Sequence, residues 1–160
     1  MDIQQFSEKI IALTPVLYRV CCAQLAQSAD REDAVQEALI RAWEKRRQLK
    51  KPEYLQTWVI RILLNVCHDM QRRQKRQQPA CNIALTTHGQ EEQTDLRLSL
   101  LQLPEKWRMP LLLHYIEGYS LPDTASMLQL PLGTVKTRLR TGREQLRLIL
   151  KEEVFPDENR

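Results

Sequence analysis

The chain has 160 residues, a formal net charge of +4 and 42% hydrophobic residues. That apolar share suffices for a packed core and excludes wholesale disorder, and the length allows one ordinary domain or two small ones. With only 4 glycines and 8 prolines against many Leu, Gln, Arg and Glu, the expected class is all-α.

Function classes narrow at once. There is no charged-then-apolar leader and no apolar run near roughly 18 residues, so the expectation is a soluble, cytoplasmic chain without membrane insertion. The four cysteines are Cys21, Cys22, Cys67 and Cys81, and none forms a C-x-x-C pair. They are expected to be reduced, mostly as small core residues. The three histidines are scattered, and no metal or cofactor site is indicated. Helical periodicity fills two blocks, Ile3 to Arg76 and Asp95 to Lys151. Between them "QQPACNIALTTHGQEEQ", Gln77 to Gln93, has the composition of a flexible linker. The expected division is residues 1–76, a linker over 77–94, and residues 95–155.

In the first block, Asp30 is placed to cap a helix running to about Leu49, with acids filling its first turn. Pro52 then holds Lys51 out of helical dihedrals, and a second long helix follows from Glu53 to Arg76. At 100° per residue, Val35, Ala38, Leu39, Ala42 and Trp43 share the core side of the first helix. The opposite side carries Asp33, Gln36, Glu37, Ile40 and Glu44. An isoleucine ringed by acids and an amide is a candidate protein-docking face, although single exposed isoleucines are common on ordinary surfaces.

On the Glu53–Arg76 helix, the expected core stripe is Val59, Ile62, Leu63, Val66 and Met70. A second stripe holds Tyr54, Trp58, Arg61, Asn65, His68 and Arg72, and ends in "RRQKR". Aromatics, an amide and arginines together suit single-stranded nucleic acid: rings stack on unpaired bases and arginines neutralise phosphate. An Asn side chain offers both donor and acceptor to a base edge. Packing of Trp58 and Tyr54 against the first helix is the simpler alternative.

In the second block, Leu103 to Glu117 is expected as one helix, bent or delayed at Pro110 and ended by Gly118. Ser120 caps the next, Leu121 to Leu128, with Asp123 at the capping-box position and Pro122 in the tolerated first turn. After the turn "QLP", a long basic helix runs from about Leu132 to Lys151. Short helix, three-residue turn and longer basic helix is the helix-turn-helix pattern, although a plain helical hairpin has the same outline. Within "PLGTVKTRLRTGREQL", Val135, Leu139, Gly142, Leu146 and Ile149 fall inward. Lys136, Thr137, Arg140, Glu144 and Arg147 point outward. Two separated basic patches, Arg72–Arg76 and Lys136–Arg143, point to a polyanion touched at two places, where two solvated helix ends would be the plainer explanation.

"LPEKWRMPLLLHYIEGYSLPDTASMLQLPLGTVKTRLRTGREQL" resembles region four of sigma-70 family RNA polymerase sigma factors. "DAVQEALIRAW" and "TWVIRILLNVCHDMQRR" are similar to region two of the extracytoplasmic-function (ECF) group, whose members keep only these two regions. The resemblance covers about four fifths of the chain in the right order. It implies two small helical domains on a linker, the second a four-helix, winged-helix-like helix-turn-helix domain. It also implies a promoter-specificity subunit that is not an enzyme and whose partners are core RNA polymerase, promoter DNA and an anti-sigma factor. By position it assigns the polymerase clamp to Asp33, Gln36, Glu37, Ile40 and Arg41. Recognition and melting of the minus-ten element fall to Tyr54, Thr57, Trp58, Arg61, Asn65, Arg72 and Arg73. The minus-thirty-five duplex falls to Thr134, Lys136, Thr137, Arg138, Arg140 and Arg143. The chain departs from the pattern with Thr141 where a basic residue is frequent, Gly142 where alanine is, and Arg140 where His or an aromatic is common. An operator-binding regulator that works without polymerase is the competing reading. An enzyme such as a nuclease would need paired carboxylates or a metal cluster on the basic surface, and the sequence offers none.

Overall fold

The structure is a computed structural model that describes residues 1–77 and 95–154. Of the expected linker only Gln77 falls inside those limits, as the last residue of a helix. The described residues are helical and contain no strand. The chain divides into two compact units, the first built on α1 to α4 and the second on α5 to α8 in the main.

In the first unit, α1 (Ile3–Ala12) starts on a reciprocal cap: the Asp2 carboxylate accepts from the helix N-terminus and Gln5 reaches back to the Asp2 amide. It buries Phe6 and Ile10. Helix α2 (Thr14–Cys22) follows, with Pro15 in its first turn, and buries Leu17, Val20 and Cys21. Helix α3 spans Ser28–Glu44, so it begins before Asp30. Gln27 occupies the cap position, and the Asp30 carboxylate instead accepts a hydrogen bond from Gln74 Nε2 at 2.8 Å. The helix also stops short of Leu49. It ends at Glu44 and is followed by a separate tight turn over Arg46–Gln48. Lys51 is extended ahead of Pro52, as the proline requires. A 3₁₀ turn at Pro52–Tyr54 then leads into α4 (Leu55–Gln77).

Ala34, Ala38 and Ala42 recur every four residues on α3 and are fully buried, a smooth ridge that suits close helix packing. Helix α3 packs mainly against α4 and α2. Trp43 is not part of that ridge. Its ring lies 6.1 Å from the Phe6 ring and 4.6 Å from the Arg46 guanidinium, and 37% of it remains exposed. Leu39 is likewise only half-buried. On α4 the buried face is wider than one stripe, because α1, α2 and α3 all pack on it. Val59, Leu63 and Val66 are buried as expected, but so are Leu55, Ile60, Leu64 and Cys67, whereas Ile62 and Met70 are half-buried. Cys21 and Cys67 meet in this core with sulfurs 3.9 Å apart. The contact with Cys67 and the burial push the Cys21 thiol up, which keeps it protonated.

Arg31 is the unexpected member of the core. It is buried, donating from Nε to the Leu25 carbonyl (2.8 Å) and from Nη2 to the Ala26 carbonyl (3.0 Å), and so fastens the α2–α3 corner. Gln71 on α4 reaches the same corner through the Gln24 carbonyl at 2.8 Å.

In the second unit, α5 (Asp95–Gln102) comes first, and the single helix expected over Leu103–Glu117 is found as α6 (Glu105–Leu111) followed by a wider turn. Pro110 sits inside α6 and removes one helical donor. Just after it the helix widens to a π-type turn over Leu112–Ile116, closed by the Glu117 amide on the Leu112 carbonyl at 2.9 Å. Gly118 then takes φ +77°, a conformation glycine adopts without steric penalty, and ends the segment as expected. Ser120 Oγ accepts the Asp123 amide at 3.2 Å ahead of α7 (Leu121–Leu128). The turn to α8 (Leu132–Val154) places Gln129 at φ 55°. Leu100, Leu103, Leu111, Ala125, Val135 and Leu139 form the core, flanked by Trp107, Leu121, Leu130, Leu146 and Ile149.

Candidate polymerase and nucleic-acid interfaces

The α3 face expected to dock a protein is outward. Asp33, Gln36 and Ile40 are exposed, and Glu37 and Arg41 are half-buried. Ile40 leaves 54% of its surface in solvent amid these polar neighbours. Arg41 is committed within the unit: its Nε bonds Glu37 Oε1 at 2.7 Å and its Nη1 lies 3.5 Å from Asp69 Oδ2 on α4. The Glu37 bond holds the Arg41 guanidinium above its ordinary value. Arg41 therefore contributes less free positive charge to this face than a bare arginine would.

Along α4 and the turn before it, the stripe is largely accessible. Tyr54 is 49% exposed, with Lys51 Nζ 5.8 Å from its ring centroid. Trp58 and Arg61 are half-buried, and Asn65, Arg72 and Arg73 are exposed. Thr57 is the exception, buried on the side of Ile60 and Leu64. A residue three before Ile60 and seven before Leu64 shares their helix face, so Thr57 is turned from the strand-facing stripe.

At the C-terminal end of α4, Arg41, Asp69, Arg72, Arg73, Lys75 and Arg76 line an open groove. Asp69 is its single carboxylate. It pairs with Arg72 one turn further along and with Arg41 on α3. The Arg72 bond, seconded by Arg41, holds the Asp69 carboxyl below the usual carboxylate range. Sequence reading missed Asp69; an acid three residues before an arginine on a helix was the available signal.

In the second unit, α8 shows the sidedness read from its sequence. Val135, Leu139 and Gly142 are buried, while Lys136, Thr137, Arg140 and Arg143 are exposed. Thr134 and Arg138 are half-buried, and Arg138 and Arg143 fall on opposite edges of the outward face. Thr137 Oγ1 donates to the Gly133 carbonyl at 3.0 Å, which fixes the hydroxyl and leaves its lone pairs outward. The Arg143 guanidinium stands 5.9 Å from the ring of Tyr115, an exposed residue of the π-type turn. A basic helix seated on a short helix by a tight turn can offer side chains to duplex base edges and phosphates. Among the described residues no group of three His, Cys, Asp or Glu comes together as a metal site.

Comparison with known proteins decides between the two DNA-binding readings. The family described as sigma-70 region 2 matches residues 10–77, and the one described as sigma-70 region 4 matches residues 93–146. The ECF RNA polymerase sigma factor EcfG of Rhodopseudomonas palustris is 30% identical over 94% of this chain and 90% of its own length. The chain belongs to the ECF group of the sigma-70 family. Sigma factors of this family are non-enzymatic initiation factors of transcription. The ECF RNA polymerase sigma factor SigW of Bacillus subtilis is 29% identical to this sigma factor over 94% of the chain and 91% of the relative. In fold, the sigma factor matches the RpoE chain solved in complex with the anti-sigma factor NepR from Bartonella quintana. That match has a TM-score of 0.81, covers 93% of this chain and 98% of that one, and carries 24% identity. No described helix of the sigma factor is long and apolar enough to cross a membrane.

Proposed function

We propose the following division of labour in this RNA polymerase sigma factor. Residues 1–76 bind core polymerase and the minus-ten element, residues 77–94 link, and residues 95–155 bind the minus-thirty-five element. Asp33, Gln36, Glu37, Ile40 and Arg41 meet the polymerase clamp. The exposed isoleucine supplies an apolar anchor, the acids give orientation, and Arg41 acts by holding Glu37 in place. Tyr54, Trp58, Arg61, Asn65, Arg72 and Arg73 hold the melted strand by stacking, base-edge hydrogen bonds and phosphate neutralisation. Thr134, Lys136, Thr137, Arg138, Arg140 and Arg143 meet the duplex, the outward residues at base edges and the flanking arginines at phosphates.

The observation that carries this reading is the stripe of exposed Tyr54, half-buried Trp58 and exposed Asn65 ending in a five-cation groove. A regulator that bound only duplex operators would have no use for it. Run-off transcription with purified core polymerase tests the proposal, paired with gel shifts on duplex DNA with and without core. Promoter-dependent transcripts and core-dependent shifts are expected. Specific duplex binding without core, and no transcript with it, would favour the operator-binding regulator. The protein is expected in the cytoplasm, held by an anti-sigma protein that covers the same polymerase-binding faces.

A further inference from the structure

The groove at the end of α4 brings five cations around one carboxylate. Left to themselves, clustered cations on an accessible surface bind any polyanion, because each neutralised phosphate releases condensed counterions whatever the sequence. Asp69 interrupts that. One of its oxygens takes the Arg72 guanidinium and the other faces Arg41 Nη1, so two of the five cations are already engaged in the free protein. Arg41 is held from its other side by Glu37, which leaves Arg72 the mobile partner. The Asp69 and Arg72 side chains are 40% and 70% exposed. An ion pair so exposed is weak and exchangeable. It is a restraint that an incoming phosphate can displace, and it is too weak to lock the groove shut.

We propose that Asp69 determines the selectivity of this groove by occupying Arg72. A phosphodiester backbone reaches Arg72 only by displacing the carboxylate. A strand already held by the stacking and base-edge residues further up α4 does this with little loss. A strand held by charge alone competes with Asp69 for the arginine it needs. The proposal rests on the reading of α4 as a single-strand-binding face.

The test is equilibrium binding of the full chain to a fluorescently labelled, mixed-sequence single-stranded oligonucleotide, followed by anisotropy across a salt series. Asp69→Asn is expected to bind about 3- to 10-fold tighter at low salt, with a salt slope steeper by about 0.7, one additional phosphate neutralised. Asp69→Glu keeps the charge and is expected to stay near wild type. Adding Arg72→Ala to Asp69→Asn is expected to remove the gain, while circular dichroism checks that each variant keeps its helices. A folded Asp69→Asn variant with wild-type affinity and slope overturns the assignment, as does a gain that survives Arg72→Ala. If Arg73→Ala and Arg76→Ala leave wild-type binding unchanged, the strand is held elsewhere. The reading of α4 then fails and takes the role of Asp69 with it.

Discussion

Gly142 lays bare backbone against Leu111: a β-carbon at position 142 would stand 3.1 Å from Leu111 Cδ1, and 3.2 Å from Trp107 Cβ as well. The Leu111 methyl can yield, but the Trp107 β-carbon is anchored to its backbone. Gly142→Ala therefore sets a helix-propensity gain of about 1 kcal/mol against overpacking of roughly 1–3 kcal/mol. The expected outcome is a chain less stable by up to about 2 kcal/mol. Gly142→Leu is expected to lose more than about 2 kcal/mol. Urea unfolding monitored by circular dichroism measures both, and a more stable Ala variant would show that α6 and α8 have room to spare.

Arg31 holds two backbone carbonyls of the α2–α3 corner from inside the core. Arg31→Met keeps most of the aliphatic volume and leaves the Leu25 and Ala26 carbonyls without their donor. A loss of about 1–3 kcal/mol is expected in the same unfolding assay. Arg31→Lys should recover only part, because one ammonium on a straight chain does not reproduce the two-pronged contact. Full stability in the Met variant would show that the corner is closed by other bonds.

Thr124 is fully buried on α7, and its hydroxyl has no hydrogen-bond partner among the described residues. Thr124→Val is nearly isosteric and removes the polar atom. It is expected to raise stability by about 1 kcal/mol, the desolvation penalty of an unpaired hydroxyl. Thermal unfolding of the full chain would register a higher midpoint. A lower midpoint means that the hydroxyl is bonded.

The outward residues of α8 are expected to separate into two kinds. Lys136→Ala should weaken binding by about 1–3 kcal/mol in a way that depends on one base position of the minus-thirty-five element. Arg143→Ala should weaken all sequences alike and flatten the salt slope by about 0.9. Competition binding of the holoenzyme to single-base variants at two salt concentrations distinguishes them. A sequence-dependent loss for Arg143→Ala would move that residue from phosphate to base contact.

Asn65 stands exposed on the α4 stripe between Arg61 and Arg72. Asn65→Ala is expected to reduce strand opening more than duplex binding, because a base-edge contact to an extruded base exists only after melting. Permanganate footprinting of thymines alongside gel shifts of closed complexes compares the two. Equal losses would place Asn65 on the duplex.

Much of this protein follows from the order of its residues. Hydrophobic repeats every three to four residues define the inward sides of α3, α4 and α8, because a helix turns 100° per residue regardless of context. The backbone-restricting residues were equally legible: Pro52 ended the extended approach to α4, and Gly118 ended the π-type turn at positive φ. So were the two basic patches and the two family motifs that assign the chain.

What the sequence left undecided depends on neighbours distant along the chain. The width of the α4 core depends on three helices packing against it, so Thr57, Ile60 and Leu64 went inside although the family resemblance put Thr57 among the minus-ten residues. Asp30 was taken up by Gln74 from another helix instead of capping its own. Arg31 found carbonyls in the core, and Asp69 found Arg41 across the α3–α4 contact. Periodicity says which way a side chain leaves its own helix. Burial, pairing and charge neutralisation are settled by the helix that arrives opposite, and only the packed structure supplies that.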